Sequence, residues 1–455
     1  MTTIKLPLPP QVINIIHQLE RAGHEVYVVG GAVHELLMHR PVDDWDFTTS
    51  ATPQKILKVF PDGFYNNKFG TVGLGNDLTP DNPFDITTFR KEVGYSDRRH
   101  PDKIIWGKTL QDDLARRDFT VNAMALKLKA KNYQLIDPYH GQDDLKARLI
   151  RAVGHPADRF NEDALRLMRT VRIATELGFT IEDQTFQAIR QHSRLINQIA
   201  AERIKAELFK ILSSDHPADG IIILKNAGLL SHILPELEAA FGVEQKSPGR
   251  HHIYDVGTHS IRSLKFCPSK DPLIRFATLI HDLGKVKTQN ITPAGVITFY
   301  NHEVASAQIA RSIANRLRFS KKEAAKLVTL VRYHQFTVDE RQTDSAIRRF
   351  IKNVGKANLK DMLDLRTGDR LGGGARETSW RLEKFKARLK QVQKQPFAVH
   401  DLKVTGHDVM SLMKLLPGPQ VGQILNQLFA EAAEDKTKNT RKYLLPRLKQ
   451  LAKQK

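Results

Sequence analysis

The sequence is poor in cysteine, with Cys267 alone among 455 residues. One thiol excludes both an intrachain disulfide and a cysteine-based metal cluster. No apolar run approaches the roughly 20 residues that a membrane span requires, so we expect no membrane partner. The first residues, MTTIKLPLPP, lack the charged-then-apolar pattern of a signal peptide. We therefore expect a cytoplasmic protein.

Acidic residues are scarce relative to basic ones. The chain has 70 Lys and Arg against 50 Asp and Glu, which gives a formal net charge of +20. Such a balance is typical of proteins that bind a polyanion or an anionic membrane surface. Because no membrane-spanning run is present, nucleic acid is the favoured partner.

The pattern of the chain changes from mixed to helical near residue 155. Short apolar strands and helices alternate before that point, and almost continuous helical periodicity follows it. The stretches EQKSPGRHH and LGGGARE interrupt the helical part. The sequence thus predicts an α+β protein with a small mixed α/β head and three all-α domains, bounded as 1–154, 155–245, 246–375 and 376–455.

The head carries a candidate phosphate and metal site. A predicted strand ends at Gly30 and Gly31 before a helix, where backbone N–H groups can approach a phosphate. Asp44 and Asp46 follow in a stretch that we interpret as a strand, in which residues i and i+2 share a face. Asp85, in FDITTF, supplies a third carboxylate from another strand. Simpler interpretations are a tight turn, a solvated edge strand and a turn acid.

The cation requirements of nucleotidyl transfer match this set of carboxylates and favour a catalytic role for them. The reaction uses paired divalent cations that clamp the attacking and leaving oxygens. Mg²⁺ prefers carboxylate oxygens together with waters and phosphate oxygens. We therefore predict Asp44, Asp46 and Asp85 as catalytic residues, with Asp44 and Asp46 as Mg²⁺ ligands.

A second pattern, EDALRLMR, places Asp163 and Arg166 three residues apart, which makes them neighbours on one helix face. They are either a surface ion pair or a pair that faces a nucleobase. A carboxylate accepts from the exocyclic amine of cytosine or adenine, and a guanidinium donates to the adjacent ring nitrogen. Uracil and guanine would leave both groups mismatched in a buried site, which is costly. Under this hypothesis, Asp163 and Arg166 select C and A without a nucleic-acid template.

Five segments in order over about residues 25–212 resemble class II tRNA nucleotidyltransferases, the CCA-adding enzymes. They are VVGGAVHELL, DDWDFTTSATP, LARRDFTVNAMAL, DPYHGQDDL and RFNEDALRLMRTVRIATELGF. The resemblance implies a polymerase-β-like head, CTP and ATP as substrates, the tRNA 3′ end as partner, and a monomer or homodimer. It also implies nucleotide contacts, beyond the glycines, Asp163 and Arg166, by Arg116, Arg117, Asp118, Asn122 and Arg169.

Two other features of this region bear on the resemblance. The family usually has Arg-Asp where this chain has His34-Glu35. Residues 90–103 resemble the flexible loop that helps the family change from C to A addition, although a plain exposed loop would look similar. The helix in IAAERIKAELFKIL, which includes Arg203, is interpreted as structural.

The segments YDVGTHS, LIHDLGK, FYNHEVA, VRYHQF and LDLRTGDRLG resemble the HD phosphohydrolase superfamily. Mixed imidazole and carboxylate ligands suit Mn²⁺, Ni²⁺, Co²⁺, Fe²⁺ or Zn²⁺ better than Mg²⁺. Each histidine alone would pass for a core residue, and an inactive folded relic is the alternative. The resemblance implies a primary metal set of His259, His281, Asp282 and Asp369, second-metal ligands His302 and His334, and a phosphate contact by Lys285.

These patterns together predict a CCA-adding enzyme with an HD domain that acts on RNA ends. The segment LKVTGHDVMSLMKLLPGPQVGQIL resembles the tail that follows HD domains in bacterial tRNA nucleotidyltransferases, and we expect it to bind tRNA. One alternative is a bacterial poly(A) polymerase, although KFGTVGLG lacks the basic signature of that group. Others are an enzyme that adds only A, and a phosphohydrolase whose head grips RNA.

Overall fold

The chain forms two compact units in a computed structural model that describes residues 3–4, 8–65, 70–75, 83–94, 103–107, 109–129, 132–245, 254–336, 338, 342–393 and 399–453. The first unit comprises Met1–Phe241, Lys270–Pro272 and Ile313–Phe319. The second comprises Gly242–Ser269, Leu273–Ser312 and Ser320–Lys455. The four domain boundaries drawn from the sequence stay predictions.

The first unit contains an eight-stranded sheet in the order β1-β10-β9-β2-β3-β6-β5-β4. Only β3 and β6 pair in parallel among these neighbours. The strands are β1 (Thr3–Ile4), β2 (Val26–Val29), β3 (Asp46–Thr49), β4 (Phe64–Tyr65), β5 (Thr71–Leu74), β6 (Phe84–Thr88), β9 (Ala125–Lys129) and β10 (Asn132–Ile136).

Three two-stranded pairs complete the described β-structure. They are the antiparallel β7 (Arg90–Val93) with β8 (Lys103–Trp106), the parallel β11 (Leu149–Ile150) with β12 (Thr180–Ile181), and the antiparallel β13 (Asn290–Ile291) with β14 (Ile297–Thr298).

Helices dominate the chain after the sheet. Those up to residue 241 are α1 (Pro10–Arg21), α2 (Gly31–Leu37), α3 (Pro53–Val59), α4 (Leu110–Ala115), α5 (Gly141–Ala147), α6 (Pro156–Glu162), α7 (Leu165–Leu177), α8 (Asp183–His192), α9 (Ala201–Ser213), α10 (Pro217–Asn226), α11 (Leu230–Ile233) and α12 (Pro235–Glu238). Those that follow are α13 (Val256–Lys265), α14 (Pro272–Ile280), α15 (Lys285–Thr288), α16 (His302–Arg316), α17 (Lys321–Tyr333), α18 (Asp344–Val354), α19 (Leu359–Gly372), α20 (Trp380–Val392), α21 (Gly406–Met413), α22 (Pro419–Glu434) and α23 (Arg441–Lys453).

The core of the head forms where α1 packs on the sheet. Val12, Ile15, Ile16 and Leu19 of α1 are buried at the i, i+3, i+4 and i+7 spacing of an apolar helix face. They join Trp45 and buried residues of the strands in one apolar cluster. The amphipathic pattern of this segment thus forms a helix that ends at Arg21.

Two local predictions are wrong. β3 begins at Asp46, so Asp44 lies in the segment before the strand rather than within it. Asp163 and Arg166 do not share a helix, because α6 ends at Glu162 and α7 begins at Leu165. Asp163 has the extended backbone angles φ −134° and ψ 106°, which interrupt the helical path between them.

Other sequence signals were incomplete. Strands β1, β10 and β9 lie at one side of the sheet, with β1 at its edge, and the sequence patterns did not predict them. The predicted loop over residues 90–103 begins as β7 and ends in β8, while residues 95–102 lie outside the described part of the chain. Among the described helices, none combines the length and the apolarity needed to cross a membrane.

Candidate functional sites

Three carboxylates approach each other at one end of β3 and β6. Parallel pairing sets Asp46 opposite Asp85 in register. Burial is the main reason that the pKa of Asp46 rises to about 6; Asp44 and Asp85 also raise it, while Arg117 lowers it. One buried oxygen of Asp85 has no hydrogen-bond partner among the described residues. Such a group of acids fits a hard divalent cation such as Mg²⁺.

Gly30 allows this group to form. Its φ of 73° and ψ of −144° belong to a region that only glycine adopts readily. A Cβ atom at this position would lie 2.8 Å from Asp46 Oδ2 and 3.3 Å from an Arg117 Nη1. The turn before α2 therefore brings backbone, carboxylate and guanidinium within one small space.

Arg116 and Arg117, two of the predicted nucleotide contacts, are held by a buried acid that the sequence analysis missed. Asp113 of α4 is fully buried. Its Oδ1 accepts from Arg116 Nε at 3.0 Å, and its Oδ2 accepts from Arg117 Nη2 at 3.2 Å. The i+3 and i+4 spacing in DDLARR was the signal that could have revealed it. Arg116 also ends α4, as expected for a charged helix cap.

Asp118 links the head to α7. Its Oδ1 accepts from the Phe119 N–H at 2.9 Å and from the Asn122 amide at 3.0 Å, and its Oδ2 accepts from Arg169 Nε at 2.8 Å. Burial alone would raise the pKa of Asp118, but Arg169 and Asn122 hold it well below its usual range. Asp118, Asn122 and Arg169 thus form one charged, hydrogen-bonded group.

The His34-Glu35 pair carries less positive charge than the Arg-Asp usual in the resembled family. His34 is 7% exposed, and burial is the main reason that its pKa falls to about 4. Burial and the nearby Asp43 and Asp44 raise the pKa of Glu35 to about 7. His34 is therefore neutral near pH 7, where arginine would be a permanent cation.

The two residues of the base-selection hypothesis are each fixed by other partners. Arg166 is 9% exposed, and it donates to Glu162 at 2.5 Å and to the Arg116 carbonyl at 3.0 Å. Asp163 Oδ1 accepts from the Leu165 N–H at 2.9 Å. The contacts that hold Asp163 and Arg166 are therefore with other residues, and not the surface ion pair between the two that was the alternative interpretation.

Arg203 is the second missed residue of this region. Its Nη2 lies 3.3 Å from Asp163 Oδ2, so α9 orients the carboxylate at the start of α7. The same helix supplies Glu207, whose carboxylate lies 3.1 Å from Arg172 Nε. The sequence offered the helical register of these charges, but not the partner 40 residues away.

The second unit gathers the predicted HD residues into one cluster. The residues come from α13, the α14–α15 turn, the start of α16, the end of α17 and α19. Two groups have ligand atoms close enough to share an ion, His259 with His281 and Asp282, and Asp282 with His302 and His334. Asp282 belongs to both groups, and it is 2% exposed.

The two oxygens of Asp282 serve different sides of the cluster. Oδ2 lies 3.4 Å from His259 Nε2 and 3.3 Å from His281 Nε2, whereas Oδ1 lies 3.2 Å from His302 Nε2 and 3.4 Å from His334 Nε2. Asp369 Oδ1 joins the first side at 3.2 Å from His259 Nε2. Asp282 could therefore supply a ligand oxygen to each of the two groups.

Backbone carbonyls orient three of the histidines. Nδ1 of His281, His302 and His334 lies 2.7, 2.9 and 2.7 Å from the carbonyls of Thr278, Phe299 and Val331. A carbonyl can only accept, so each Nδ1 carries a proton, and the neutral form of each ring would turn an Nε2 lone pair into the cluster. Nε2 atoms of His302 and His334 face each other at 3.3 Å, an arrangement that a shared cation or proton would stabilise.

Charge reinforces this geometry. Burial would lower the pKa of His281, but Asp282 and Asp369 raise it to about 10. Burial lowers the pKa of His334, which lies on the other side of Asp282. Asp282 and Asp369 therefore favour a positive charge at His281, which a proton or a metal cation would supply.

Close helix packing brings Asp369 to His259. A Cβ atom at Gly372 of α19 would lie 2.6 Å from the Ser263 backbone nitrogen of α13. A cavity of about 230 Å³ opens beside the cluster. It is lined by Asp282, Lys285, His302, His334, Gln335, Arg366, Asp369, Arg370, Gly373 and Ala375.

Family models match three segments of the chain. Residues 26–151 match the poly A polymerase head domain. Residues 178–241 match a model described as "Probable RNA and SrmB- binding site of polymerase A". Residues 287–448 match tRNA nucleotidyltransferase domain 2.

Curated relatives and solved structures extend the likeness. The CCA-adding enzyme of Anoxybacillus flavithermus is 42% identical over 231 residues, which span 50% of this chain and 56% of that protein. The CCA-adding enzyme of Pediococcus pentosaceus is 29% identical over 446 residues, 96% of this chain and 97% of that one. The Bacillus stearothermophilus CCA-adding enzyme in complex with CTP matches with a TM-score of 0.69 and 25% identity, covering 98% of this chain and 99% of that structure.

The fold is a polymerase-β-like nucleotidyltransferase head followed by helical domains, which confirms the predicted fold class. The curated relatives and the solved structure that resemble this chain are CCA-adding enzymes. The HD resemblance and the roles of individual site residues stay predictions.

Replacing Asp118 with Asn should destabilise the head in a pH-dependent way. The variant loses a charge-assisted bond to Arg169, which we expect to cost about 1.5–3 kcal/mol of unfolding free energy at pH 7. The pKa of Asp118 is lower in the folded protein than in the unfolded chain. Its contribution to the free energy of unfolding is therefore complete above the unfolded pKa and is lost as the pH falls from the unfolded pKa through the folded pKa. The difference from wild type should therefore shrink below about pH 4.

Urea denaturation followed by tryptophan fluorescence measures this difference, since Trp45 is buried in the head core. Asp62→Asn, at an exposed head position, is the matched control and should change little. A difference between Asp118→Asn and wild type that grows on acidification would contradict the assignment.

Proposed function

We propose that this protein adds CCA to the 3′ end of tRNA, with CTP and ATP as substrates and no nucleic-acid template. The observation that carries the proposal is the register of β3 and β6, which sets Asp46 opposite Asp85 beside Gly30. The relatives named above are CCA-adding enzymes, and the solved structure that covers 98% of this chain holds CTP. The excess of basic residues suits tRNA as the partner.

The head residues have complementary tasks in this proposal. Asp44, Asp46 and Asp85 would hold Mg²⁺, which neutralises phosphate charge and activates the attacking 3′-hydroxyl when bound. Arg117 places its guanidinium near Gly30, where a planar fork of donors suits a triphosphate. Asp113 holds Arg116 and Arg117 in position before substrate arrives, which lowers the cost of ordering them.

Base selection rests on donors and acceptors that remain after the internal contacts are made. A guanidinium has five N–H donors, and the Arg166 contacts with Glu162, Arg159 and Arg116 leave donors for a base. A carboxylate accepts at about four lone-pair positions, and Asp163 gives its internal ones to Leu165 and Arg203. Both side chains are therefore preorganised to read cytosine and adenine.

The cluster in the second unit supports a further activity, hydrolysis of phosphoesters at RNA ends. His259, His281, Asp282 and Asp369 would hold one transition metal, and Asp282, His302 and His334 a second. Such ions polarise a phosphoryl oxygen and generate a nucleophile from water when bound. Lys285, with Nζ 2.6 Å from Asp282 Oδ2, would contact the phosphate at the same place. A 2′,3′-cyclic phosphate is a sensible substrate, because such an end lacks the attacking hydroxyl.

Two other functions predict different products. A poly(A) polymerase or an enzyme that adds only A would extend RNA with A in the absence of CTP. A phosphohydrolase with an RNA-gripping head would add no nucleotide. The match to the poly A polymerase head domain fits both CCA addition and the first alternative. The reaction product is therefore needed to distinguish these two functions.

The first prediction uses tRNA that ends at the discriminator base, incubated with CTP, ATP or both and resolved at single-nucleotide length. We expect addition of CCA and then a stop. Asp44→Ala and Asp46→Ala should abolish addition by removing a cation ligand, while Asp62→Ala, at an exposed position, should retain it. Long A tails would contradict CCA addition, and normal incorporation by Asp46→Ala at saturating Mg²⁺ would exclude the ligand role.

The second prediction concerns base choice. Asp163→Ala should raise kcat/KM for UTP and GTP relative to CTP and ATP by about 10- to 150-fold, because the group that penalises a carbonyl is gone. Arg166→Ala should slow C and A addition alike. Glu202→Ala, exposed beside Arg203 on α9, is the control that leaves the ratios unchanged. Unaltered ratios in Asp163→Ala would remove the pair from base selection.

The third prediction separates the two activities. The double variant His281→Ala, Asp282→Ala should lose hydrolysis of a 2′,3′-cyclic phosphate by more than about 100-fold, and it should lose binding of Mn²⁺ or Ni²⁺ measured by equilibrium dialysis. CCA addition should survive, because its ligands lie in the first unit. His400→Ala, at an exposed position in the second unit, should keep both activities. Wild-type hydrolysis by the double variant would show that the cluster is not the hydrolytic site.

A further inference from the structure

A second cavity lies beside the histidine cluster, and its aromatic wall has no part in metal binding. The cavity has a volume of about 200 Å³ and is lined by Lys285, Thr298, Phe299, Tyr300, Asn301, His302 and Gln335. Three of these residues, Lys285, His302 and Gln335, also line the cavity at the cluster. The two cavities therefore adjoin within the second unit.

Tyr300 is an exposed aromatic ring at this cavity. Its relative exposure is 77%, whereas the preceding Phe299 is only 9% exposed. No described residue makes a ring contact with Tyr300 or a hydrogen bond with its hydroxyl. Phe299 packs inward, with Lys285 Nζ at 5.5 Å from its ring centroid. The loop thus anchors one aromatic side chain and offers the next to solvent.

The same loop orients a member of the cluster. The Phe299 carbonyl lies 2.9 Å from His302 Nδ1 and also accepts from the His302 N–H at 3.3 Å. Asn301, between them, has a left-handed φ of 59°, a conformation that asparagine tolerates better than most residues. The Asn301 carbonyl accepts from the Val304 N–H at 3.0 Å at the start of α16. The backbone of Tyr300 is therefore held close to His302.

We propose that Tyr300 is the stacking platform of a nucleobase subsite, so that the second-unit site acts on the terminal nucleotide of an RNA rather than on phosphoesters in general. The inference rests on the phosphohydrolase function proposed above and names its substrate class. Bases stack on aromatic side chains with little dependence on sequence, which suits an enzyme that meets many RNA ends. Exposed Asn301 and Gln335 offer amide groups to the edge of the base.

Charge around the two cavities agrees with this orientation of the ligand. Lys285, Arg366 and Arg370 lie at the cavity beside the cluster, where the phosphate would sit. The cavity at Tyr300 shares only Lys285 among these cations. A nucleotide would place its phosphate toward the metals and its base toward Tyr300.

The test compares two esters with the intact protein and Mn²⁺, adenosine 2′,3′-cyclic phosphate and the 2′,3′-cyclic phosphate of 1-O-methylribose, which has no base. Tyr300→Ala should lower kcat/KM for the adenosine ester by about 5- to 150-fold, mainly through KM, and leave the base-free ester unchanged. Tyr300→Phe should restore the adenosine value. Trp380→Ala removes another exposed aromatic ring of the second unit and should affect neither ester.

Equal losses on both esters, or no loss on either, would overturn the subsite. If wild type hydrolyses neither ester with any of the transition metals, the phosphohydrolase function fails, and binding then decides the subsite separately. Equilibrium dialysis of adenosine 3′-monophosphate against wild type and Tyr300→Ala supplies that measurement. Weaker binding by Tyr300→Ala supports the subsite, and equal binding refutes it. The head contributes equally to both proteins, so the difference reports Tyr300.

Discussion

Carboxylates held away from water need positive charge nearby, and each unit of this chain is organised around that need. In the head, burial raises the pKa of Asp46, and the nearby acids Asp44 and Asp85 raise it further. In the second unit, Asp282 is almost fully buried and is surrounded by four imidazoles and Lys285. The first arrangement suits a hard cation and the second a softer one, because the head offers only oxygens and the cluster offers nitrogen as well.

Backbone geometry fixes both arrangements. Parallel pairing of β3 and β6 decides which acids face each other, and Gly30 gives the space that a Cβ atom would occupy. In the second unit, carbonyl groups at Nδ1 set the tautomers of three histidines. Side chains that are oriented before a ligand arrives lose less entropy on binding it. The proposed chemistry of each unit therefore depends on main-chain atoms that no substitution of a ligand residue would reveal.

Local patterns were sufficient where periodicity or motif spacing carries the information. The apolar face of α1 and the strands at Val26–Val29 and Phe84–Thr88 follow from period and composition. The opposition of Asp46 and Asp85 does not, since the register of parallel strands depends on the segments between them. The helix assumed to join Asp163 and Arg166 was wrong because one extended residue separates α6 from α7. The contact of Asp113 with Arg117 could have been predicted from their i, i+4 spacing on a helix. The contact of Arg203 with Asp163 could not, because it depends on tertiary packing.

The end of α4 has a consequence for how such chains are inherited. Arg159 donates to the Ala115 carbonyl at 3.1 Å, and Arg166 donates to the Arg116 carbonyl at 3.0 Å. The helices α6 and α7 are thus hydrogen-bonded to the main chain at the end of α4, beside Arg116 and Arg117. A recombination junction near residue 155 would separate these hydrogen-bonded partners. Only an exchange that moves α4 together with α6, α7 and α9 would keep these contacts and the ion pair of Arg203 with Asp163 within one inherited segment.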